Sequence, residues 1–170
     1  MAPRYEKVGW WLLPADPHGH ALQAVIEGLA ERFAAPAFPP HVTLASSGFD
    51  AVEDVLAAAR KESSFDLSVS GLETTDDVAR TLALRFEGEE RVRALTRRIL
   101  PAAQLEGRAP PHLSLVYQHL NATERARLAS AGAPLDAIRF DAIAGMRMFS
   151  GELLLEDVPR WREIARVTLP

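Results

Sequence analysis

The chain has 170 residues, of which 48% are hydrophobic, and it carries a formal net charge of −4. This amount of apolar sequence can bury one core but not two large ones, so we expect a single domain over residues 1–170. A run of about 18 apolar residues would predict a membrane-spanning helix, and the sequence contains none. The acidic balance argues against a long, sequence-independent nucleic-acid track.

The sequence contains no cysteine. This excludes disulfide bonds, thiolate zinc ligands and cysteine nucleophiles, and it fits a reducing compartment, so we expect a cytoplasmic protein. His18 and His20 lie two residues apart at a predicted helix start, where their side chains diverge, and no acidic ligand is spaced to complete a zinc site. The sequence therefore predicts no metal ion, and we expect no other cofactor.

The hydrophobic pattern predicts strands and helices in an order that restarts near the middle of the chain. The first half predicts a strand at 7–13, a helix at 17–34, a strand at 41–45, a helix at 50–61 and a strand at 65–70. The second half predicts a strand at 78–86, a helix at 88–104, a strand at 112–117, a helix at 121–131, extended segments at 138–144 and 147–149, and strands at 153–155 and 164–169.

One six-residue motif occurs twice, as PPHVTL at 39–44 and as PPHLSL at 110–115. Its histidines, His41 and His112, are 71 residues apart, and the same offset superposes the predicted helices and strands of the two halves. The sequence thus predicts a strand–helix–strand–helix–strand unit used twice. We expect an α+β protein in which the two copies face one cleft across a pseudo-two-fold axis.

Side chains alternate between the two faces of a strand, so each motif places its histidine and its hydroxyl residue on one face. His41 is thereby paired with Thr43, and His112 with Ser114. A single His-x-Ser/Thr is most often an ordinary strand sequence, but two copies at matching positions of a repeat favour a functional pair. One imidazole can take a proton from water while the other protonates a leaving oxygen, and the hydroxyls can donate to phosphate oxygens.

Four stretches of the chain carry a family resemblance: Trp11–Pro14, Phe38–Leu44, Pro111–Tyr117 and Trp161–Val167. With its paired His-x-Thr/Ser motifs, the chain resembles the 2H phosphoesterase superfamily. It is most similar to the cyclic phosphodiesterase family, which hydrolyses ADP-ribose 1″,2″-cyclic phosphate and nucleoside 2′,3′-cyclic phosphates. The resemblance implies a bilobal fold, with two pseudo-symmetric lobes that each hold an antiparallel sheet flanked by helices.

The resemblance also implies roles for individual residues. His41 and His112 would be the catalytic pair, Thr43 and Ser114 would hold the phosphate, and the product would be a 2′- or 1″-phosphomonoester. Tyr117 matches a family tyrosine near the phosphate, although strict alternation from His112 places it on the opposite face, so a core position stays open unless the strand bulges or ends.

Two further residues have alternative interpretations. Trp11 matches a tryptophan that could stack on a base or ribose, and core packing beside Trp10 is the equal alternative. Arg80 could clamp a phosphate, but an exposed ion pair with the neighbouring Asp76 and Asp77 is the favoured interpretation. The segment 73–80 matches no family stretch and is expected to form the rim that selects the nucleoside.

Two other functions remain as alternatives to a cyclic phosphodiesterase of small nucleotides. The first is an enzyme of RNA processing that acts on RNA ends carrying a 2′,3′-cyclic phosphate, which would need a basic stripe leading to the cleft. The second is a non-catalytic nucleotide-binding module. In each case we expect a monomer whose partner is a small cyclic-phosphate nucleotide or an RNA end, with no membrane association.

Overall fold

The computed structural model describes residues 4–170 as an α+β fold of antiparallel strands and a few helices, which confirms the predicted class. The strands are β1 (Glu6–Pro14), β2 (Val42–Ser47), β3 (Phe65–Thr74), β4 (Leu82–Phe86), β5 (His112–Val116), β6 (Ala137–Phe149) and β7 (Arg162–Thr168). The helices are α1 (His18–Phe33), α2 (Val52–Ala59), α3 (Glu89–Ile99) and α4 (Ala122–Ser130). Short 3₁₀ turns lie at Phe49–Ala51, Val78–Arg80 and Leu155–Arg160.

The strands pair in the order β1-β2-β5-β4-β3-β6-β7, and β1 also pairs with β6. We call β2, β1, β6 and β7 the first lobe, and β5, β4 and β3 the second lobe. The lobes meet at two junctions. At one, β2 pairs with β5 only through Val42 and Leu113. At the other, β3 residues 65–68 pair with β6 residues 137–140. The short first junction places the two His motifs side by side.

The two repeats exchange their third strands. The first repeat runs from β1 to β3, yet β3 pairs with β4 of the second repeat, and β6 of the second repeat pairs with β1. Both junctions follow the same symmetry, because Val42 and Leu113, and likewise Leu67 and Ile138, are partners separated by the repeat offset of 71 residues. Each lobe therefore contains strands from both halves of the sequence.

The helices also pack against strands of the other repeat, since α1 contacts β5 and α3 contacts β2. Each presents one apolar stripe, as its sequence predicts. In α3 the buried positions include Val92, Leu95 and Ile99. The second short helix, α4, begins with a capping box in which Asn121 and Glu124 satisfy each other's backbone N–H groups. No helix in residues 4–170 has both the length and the apolar character needed to cross a membrane.

The predicted strand at 78–86 is wrong in its first half, because Val78–Arg80 forms a 3₁₀ turn and β4 begins at Leu82. The cause is local hydrogen bonding that competes with strand pairing. The Asp77 carboxylate accepts from the Ala79 N–H at 2.9 Å, and the Thr75 hydroxyl donates to the Arg80 carbonyl at 2.8 Å.

The predicted strand at 153–155 is also wrong, since the connection from β6 to β7 contains the 3₁₀ turn Leu155–Arg160. The buried Asp157 carboxylate holds this connection in place by pairing with Arg4 and Arg160. Pro159 lies inside the turn and cannot donate to a strand ladder.

Candidate active site

The two motif histidines lie at equivalent places in the sheet. His41 directly precedes β2, and His112 is the first residue of β5. The proline pairs before them lack backbone N–H donors, which limits strand pairing before each histidine. Because Val42 pairs with Leu113 at the lobe junction, both imidazoles lie where the lobes meet.

Each imidazole is held by a hydrogen bond to the backbone carbonyl two residues before it. The Nδ1 atom of His41 lies 2.7 Å from the Pro39 carbonyl oxygen, and that of His112 lies 2.9 Å from the Pro110 carbonyl oxygen. A carbonyl only accepts, so Nδ1 carries the proton in each ring. In the neutral form, each Nε2 atom then carries the lone pair that can accept a proton.

His41 lies in an aromatic enclosure and is 5% exposed. Its ring stacks on Trp11 with the centroids 3.6 Å apart and the planes 8° from parallel. The Tyr117 hydroxyl lies 3.5 Å from its Nε2 atom. Burial lowers the pKa of His41 to about 4, although the bond to Pro39 opposes the shift and the nearby His112 adds to it.

His112 is partly exposed and has charged neighbours. Burial also lowers its pKa. Arg80 and Arg85 lower that pKa further, and Glu73 raises it. Arg85 pairs with His112 across β4 and β5, so both side chains project from the same face of the second lobe. The two members of the pair therefore differ, with an apolar enclosure around His41 and a charged one around His112.

The two hydroxyl residues also differ in exposure, but here the residue of the first motif is exposed and that of the second is buried. Thr43 is exposed, its hydroxyl donates to no group in residues 4–170, and it lines a pocket together with His112. Ser114 is buried, and its hydroxyl donates to the Ala79 carbonyl at 2.6 Å. The sequence predicts equal phosphate-donor roles for the two, but the Ser114 donor is already engaged because the Val78–Arg80 turn packs against β5. Ser114 can donate to a phosphate only if it gives up this hydrogen bond.

Tyr117 follows the end of β5, and the β4–β5 register shifts between Leu82 and Ala83. A strand end and a bulge were the two conditions under which Tyr117 could face the cleft despite the alternation of side chains along β5. Its ring stacks on Phe38 at 3.9 Å, while its hydroxyl approaches His41. Burial raises the pKa of Tyr117, and the Ser114 side chain partly offsets this, so the hydroxyl lies near residues of both motifs.

Trp11 is 1% exposed, and the His41 ring covers one of its faces. Trp161 meets it edge-on with the ring centroids 5.5 Å apart. Of the two interpretations of Trp11, the structure favours core packing over stacking on a base. The reason is the β1–β2 register, which pairs Trp11 with Thr43 directly beside the His41 ring.

A cluster of charged residues lies next to His112, and the sequence analysis named two of them, Arg80 and Glu73 of the segment 73–80, but not Arg85. Glu73 and Arg85 form an ion pair at 3.4 Å. Within residues 4–170, three buried side-chain atoms without a hydrogen-bond partner belong to this cluster: Glu73 Oε2, Arg80 Nε and Arg85 Nε. The predicted ion pair of Arg80 with Asp76 or Asp77 is absent from the described structure. The sequence signal for Arg85 is its charge within the otherwise apolar segment 82–86.

Neither His18 nor His20 joins a metal site. His18 Nδ1 accepts the Arg139 backbone N–H at 3.0 Å, and His20 lies 3.0 Å from the exposed Asp16 carboxylate. The part of the chain that the structure describes contains no group of three histidine or carboxylate side chains arranged to hold a metal ion.

A family model described as the 2′-5′ RNA ligase superfamily matches residues 14–144, which include both His motifs and the charged cluster. The chain belongs to the 2′-5′ RNA ligase superfamily. This confirms the predicted membership of the 2H phosphoesterases and supports phosphodiester hydrolysis as its activity. No curated protein matches the chain in sequence.

Solved structures show how widely the superfamily fold extends over this chain. E. coli LigT complexed with 3′-AMP matches with a TM-score of 0.60 and 14% identity, over 96% of this chain and 97% of LigT. The same protein complexed with NADP+ gives a TM-score of 0.60 and 14% identity, over 96% and 98%. A structure described as a phosphoesterase gives 0.59 and 12%, over 96% and 98%. At these identities the match shows a shared fold.

Proposed function

We propose that the protein is a cyclic phosphodiesterase that hydrolyses nucleoside 2′,3′-cyclic phosphates, ADP-ribose 1″,2″-cyclic phosphate or both, without a metal ion. The observation that carries this proposal is the matched pair of imidazoles. His41 and His112 each fix Nδ1 on a carbonyl two residues earlier, so each offers Nε2 at the junction of the lobes. Opening a cyclic phosphate needs one proton acceptor and one proton donor on opposite sides of phosphorus, and two such imidazoles supply them.

The difference between the two enclosures favours a division of roles. His41, with its pKa of about 4, is neutral at ordinary pH and suits the general base. Burial, Arg80 and Arg85 lower the pKa of His112, but the Pro110 carbonyl and the Glu73 carboxylate oppose the shift, and the ring is less enclosed than His41. Of the two imidazoles, His112 is therefore the better suited to be the general acid. The arrival of a negatively charged phosphate raises the pKa of both imidazoles and helps the acid most directly.

The proposed reaction is one in-line displacement. His41 Nε2 takes a proton from water as the water oxygen bonds to phosphorus. The ring bond from phosphorus to the leaving oxygen breaks, and His112 Nε2 gives that oxygen its proton. Afterwards His41 returns its proton to solvent and His112 regains one. Thr43 donates to a non-bridging oxygen, where negative charge accumulates. Ser114 can add a second donor once it gives up the Ala79 carbonyl, and the Tyr117 hydroxyl lies beside the His41 Nε2 atom.

Arg80 is a further candidate for contact with the phosphate. Its charge acts on His112, and its buried Nε atom has no partner in the described residues. Guanidinium groups of this kind bind phosphate oxygens with two parallel hydrogen bonds. Because Arg80 lies in the turn that holds Ser114, binding there would also place the phosphate beside the second motif.

The test is incubation of the purified protein with 2′,3′-cyclic AMP and with ADP-ribose 1″,2″-cyclic phosphate in the presence of EDTA, with separation of the products. Turnover to a 2′- or 1″-phosphomonoester is expected. The pH profile of kcat/KM should be bell-shaped with its optimum below about 6.5, because activity rises as His41 loses its proton and falls as His112 does. Tight nucleotide binding with no turnover of any substrate would contradict this proposal and favour a non-catalytic nucleotide-binding module.

A further inference from the structure

The pocket that Thr43 and His112 line also reaches residues outside the two His motifs. It lies between β2, α3 and the segment before β5, and its volume is about 90 Å³. Thr43 and His112, one residue from each motif, line it together with two arginines, Arg93 and Arg108. A pocket of this size holds several waters and hence has room for a small anionic group such as a phosphate.

Arg93 differs from the other arginines of α3. Arg97 pairs with Glu90, Arg98 pairs with Glu62, and Arg91 lies over the Phe65 ring. Arg93 instead points into the pocket, where its guanidinium donates to the Leu105 carbonyl at 3.3 Å. Of these four arginines, Arg93 is the one that lines the pocket.

Arg108 comes from the segment before β5 and donates to the Leu44 carbonyl at 3.0 Å, beside Thr43. Neither Arg93 nor Arg108 lies within ion-pair distance of a carboxylate in residues 4–170, although Glu106 is only two positions away in sequence. Burial lowers the pKa of Arg108, and Arg93 adds to the shift. Lys7 on β1 continues the positive region, since Arg108 also contributes to lowering its pKa.

Two like charges held together without a counter-ion are unfavourable unless an anion joins them. We propose that Arg93 and Arg108 form a subsite for a second phosphate group of the substrate, next to the phosphate that is cleaved. This inference rests on the proposed function and deepens it. A second phosphate belongs to the neighbouring nucleotide of an RNA end or to the pyrophosphate of ADP-ribose 1″,2″-cyclic phosphate, and 2′,3′-cyclic AMP has none.

The experiment measures kcat and KM for three substrates: 2′,3′-cyclic AMP, a short oligonucleotide that ends in a 2′,3′-cyclic phosphate, and ADP-ribose 1″,2″-cyclic phosphate. The variants are Arg93→Gln and Arg108→Gln, which keep a donor for the neighbouring carbonyl. Arg97→Gln is the matched control, since it removes the same charge from the exposed face of α3.

Each pocket variant is expected to raise KM by about 10-fold or more for the substrate whose second phosphate the subsite holds. Values for 2′,3′-cyclic AMP should stay within about 2-fold of the wild-type values, as should all values of the Arg97→Gln control. A loss on the oligonucleotide identifies an RNA backbone phosphate, and a loss on the ADP-ribose substrate identifies the pyrophosphate. Equal losses on all three substrates, or no loss on any, would overturn the subsite.

Binding measurements separate this proposal from the proposed function. Calorimetry compares adenosine 2′-monophosphate with adenosine 2′,5′-bisphosphate, neither of which needs turnover. The wild-type protein should prefer the bisphosphate, and Arg108→Gln should remove most of that preference without weakening the monophosphate. If the enzyme turns over no substrate and this preference is still lost, the cyclic phosphodiesterase fails and the subsite stands. If the wild-type protein has no preference, the subsite is wrong.

Discussion

The two His motifs have nearly the same sequence but occupy different surroundings. His41 is enclosed by Trp11, Phe38 and Tyr117 and is almost fully buried, whereas His112 is partly exposed beside charged residues of β3 and β4. The hydroxyls are reversed, with Thr43 exposed and Ser114 buried and bonded to a carbonyl. A pseudo-symmetric sequence therefore gives an asymmetric site, because the residues that surround the two motifs differ.

The largest expected effect is the loss of kcat when either histidine is replaced, and a substrate with a better leaving group distinguishes the two. His41→Ala and His112→Ala should each lower kcat for 2′,3′-cyclic AMP by about 10²–10⁴-fold, as expected for loss of a general base or acid. On bis(p-nitrophenyl) phosphate, whose leaving group departs without a proton, His112→Ala should regain most of its activity and His41→Ala should not.

Circular dichroism should show that both variants remain folded. Rescue of His41→Ala instead of His112→Ala would reverse the assignment of base and acid. Retention of wild-type turnover on the cyclic nucleotide by either variant would contradict the whole acid–base pair.

The next effect concerns stability against pH. The folded pKa of His41 is about 4, below its unfolded value of about 6.5. The unfolded chain therefore binds a proton more readily, and stability is lost as pH falls from about 6.5 through 4. The difference amounts to about 3 kcal/mol between pH 7 and pH 4.

Urea unfolding at several pH values should show this loss in the wild-type protein and a flatter profile in His41→Gln. The exposed His119→Gln serves as the control for removal of a histidine and should follow the wild-type profile. Parallel profiles of wild type and His41→Gln would contradict the enclosed, neutral imidazole.

Substitutions of Thr43 and Ser114 should have smaller effects, mainly on kcat for Thr43 and mainly on stability for Ser114. Thr43→Val keeps the side-chain shape at an exposed position, so we expect unchanged stability and a fall in kcat of about 10- to 100-fold. Ser114→Ala leaves the Ala79 carbonyl without its partner and should cost about 1–2 kcal/mol of stability, with a kcat loss of only a few-fold. Steady-state kinetics and thermal unfolding measure both. A larger kcat loss for Ser114→Ala would show that Ser114 gives up the Ala79 carbonyl to bind the phosphate.

The smallest effect is expected for Tyr117→Phe. The ring remains stacked on Phe38, so the free energy of unfolding should change by less than about 1 kcal/mol. The hydroxyl beside His41 Nε2 is lost, and we expect kcat to fall by about 3- to 10-fold, without a change in KM. Kinetics on 2′,3′-cyclic AMP provide the measurement. A fall of more than about 100-fold would make the Tyr117 hydroxyl a direct ligand of the reacting phosphate.

Much of this protein was predictable because the information is local. The repeat of 71 residues, the amphipathic faces of α1 and α3 and the two motif strands follow from side-chain periodicity and proline placement. The errors occurred at 78–80 and 153–155, where side-chain hydrogen bonds and a buried ion pair between distant residues replaced strand pairing. The prediction that His41 and His112 form the catalytic pair still awaits the kinetic tests.

By itself, the sequence determined the α+β class, the twofold repeat and the family. Only the tertiary structure decided that the repeats exchange their third strands, that Trp11 packs against His41, and that Arg93 and Arg108 share a pocket with both motifs. The physical reason is that periodicity reports which face of an element is buried but not which distant element covers it. Burial and charge at each histidine come from those distant neighbours, so the asymmetry of the site arises only on folding.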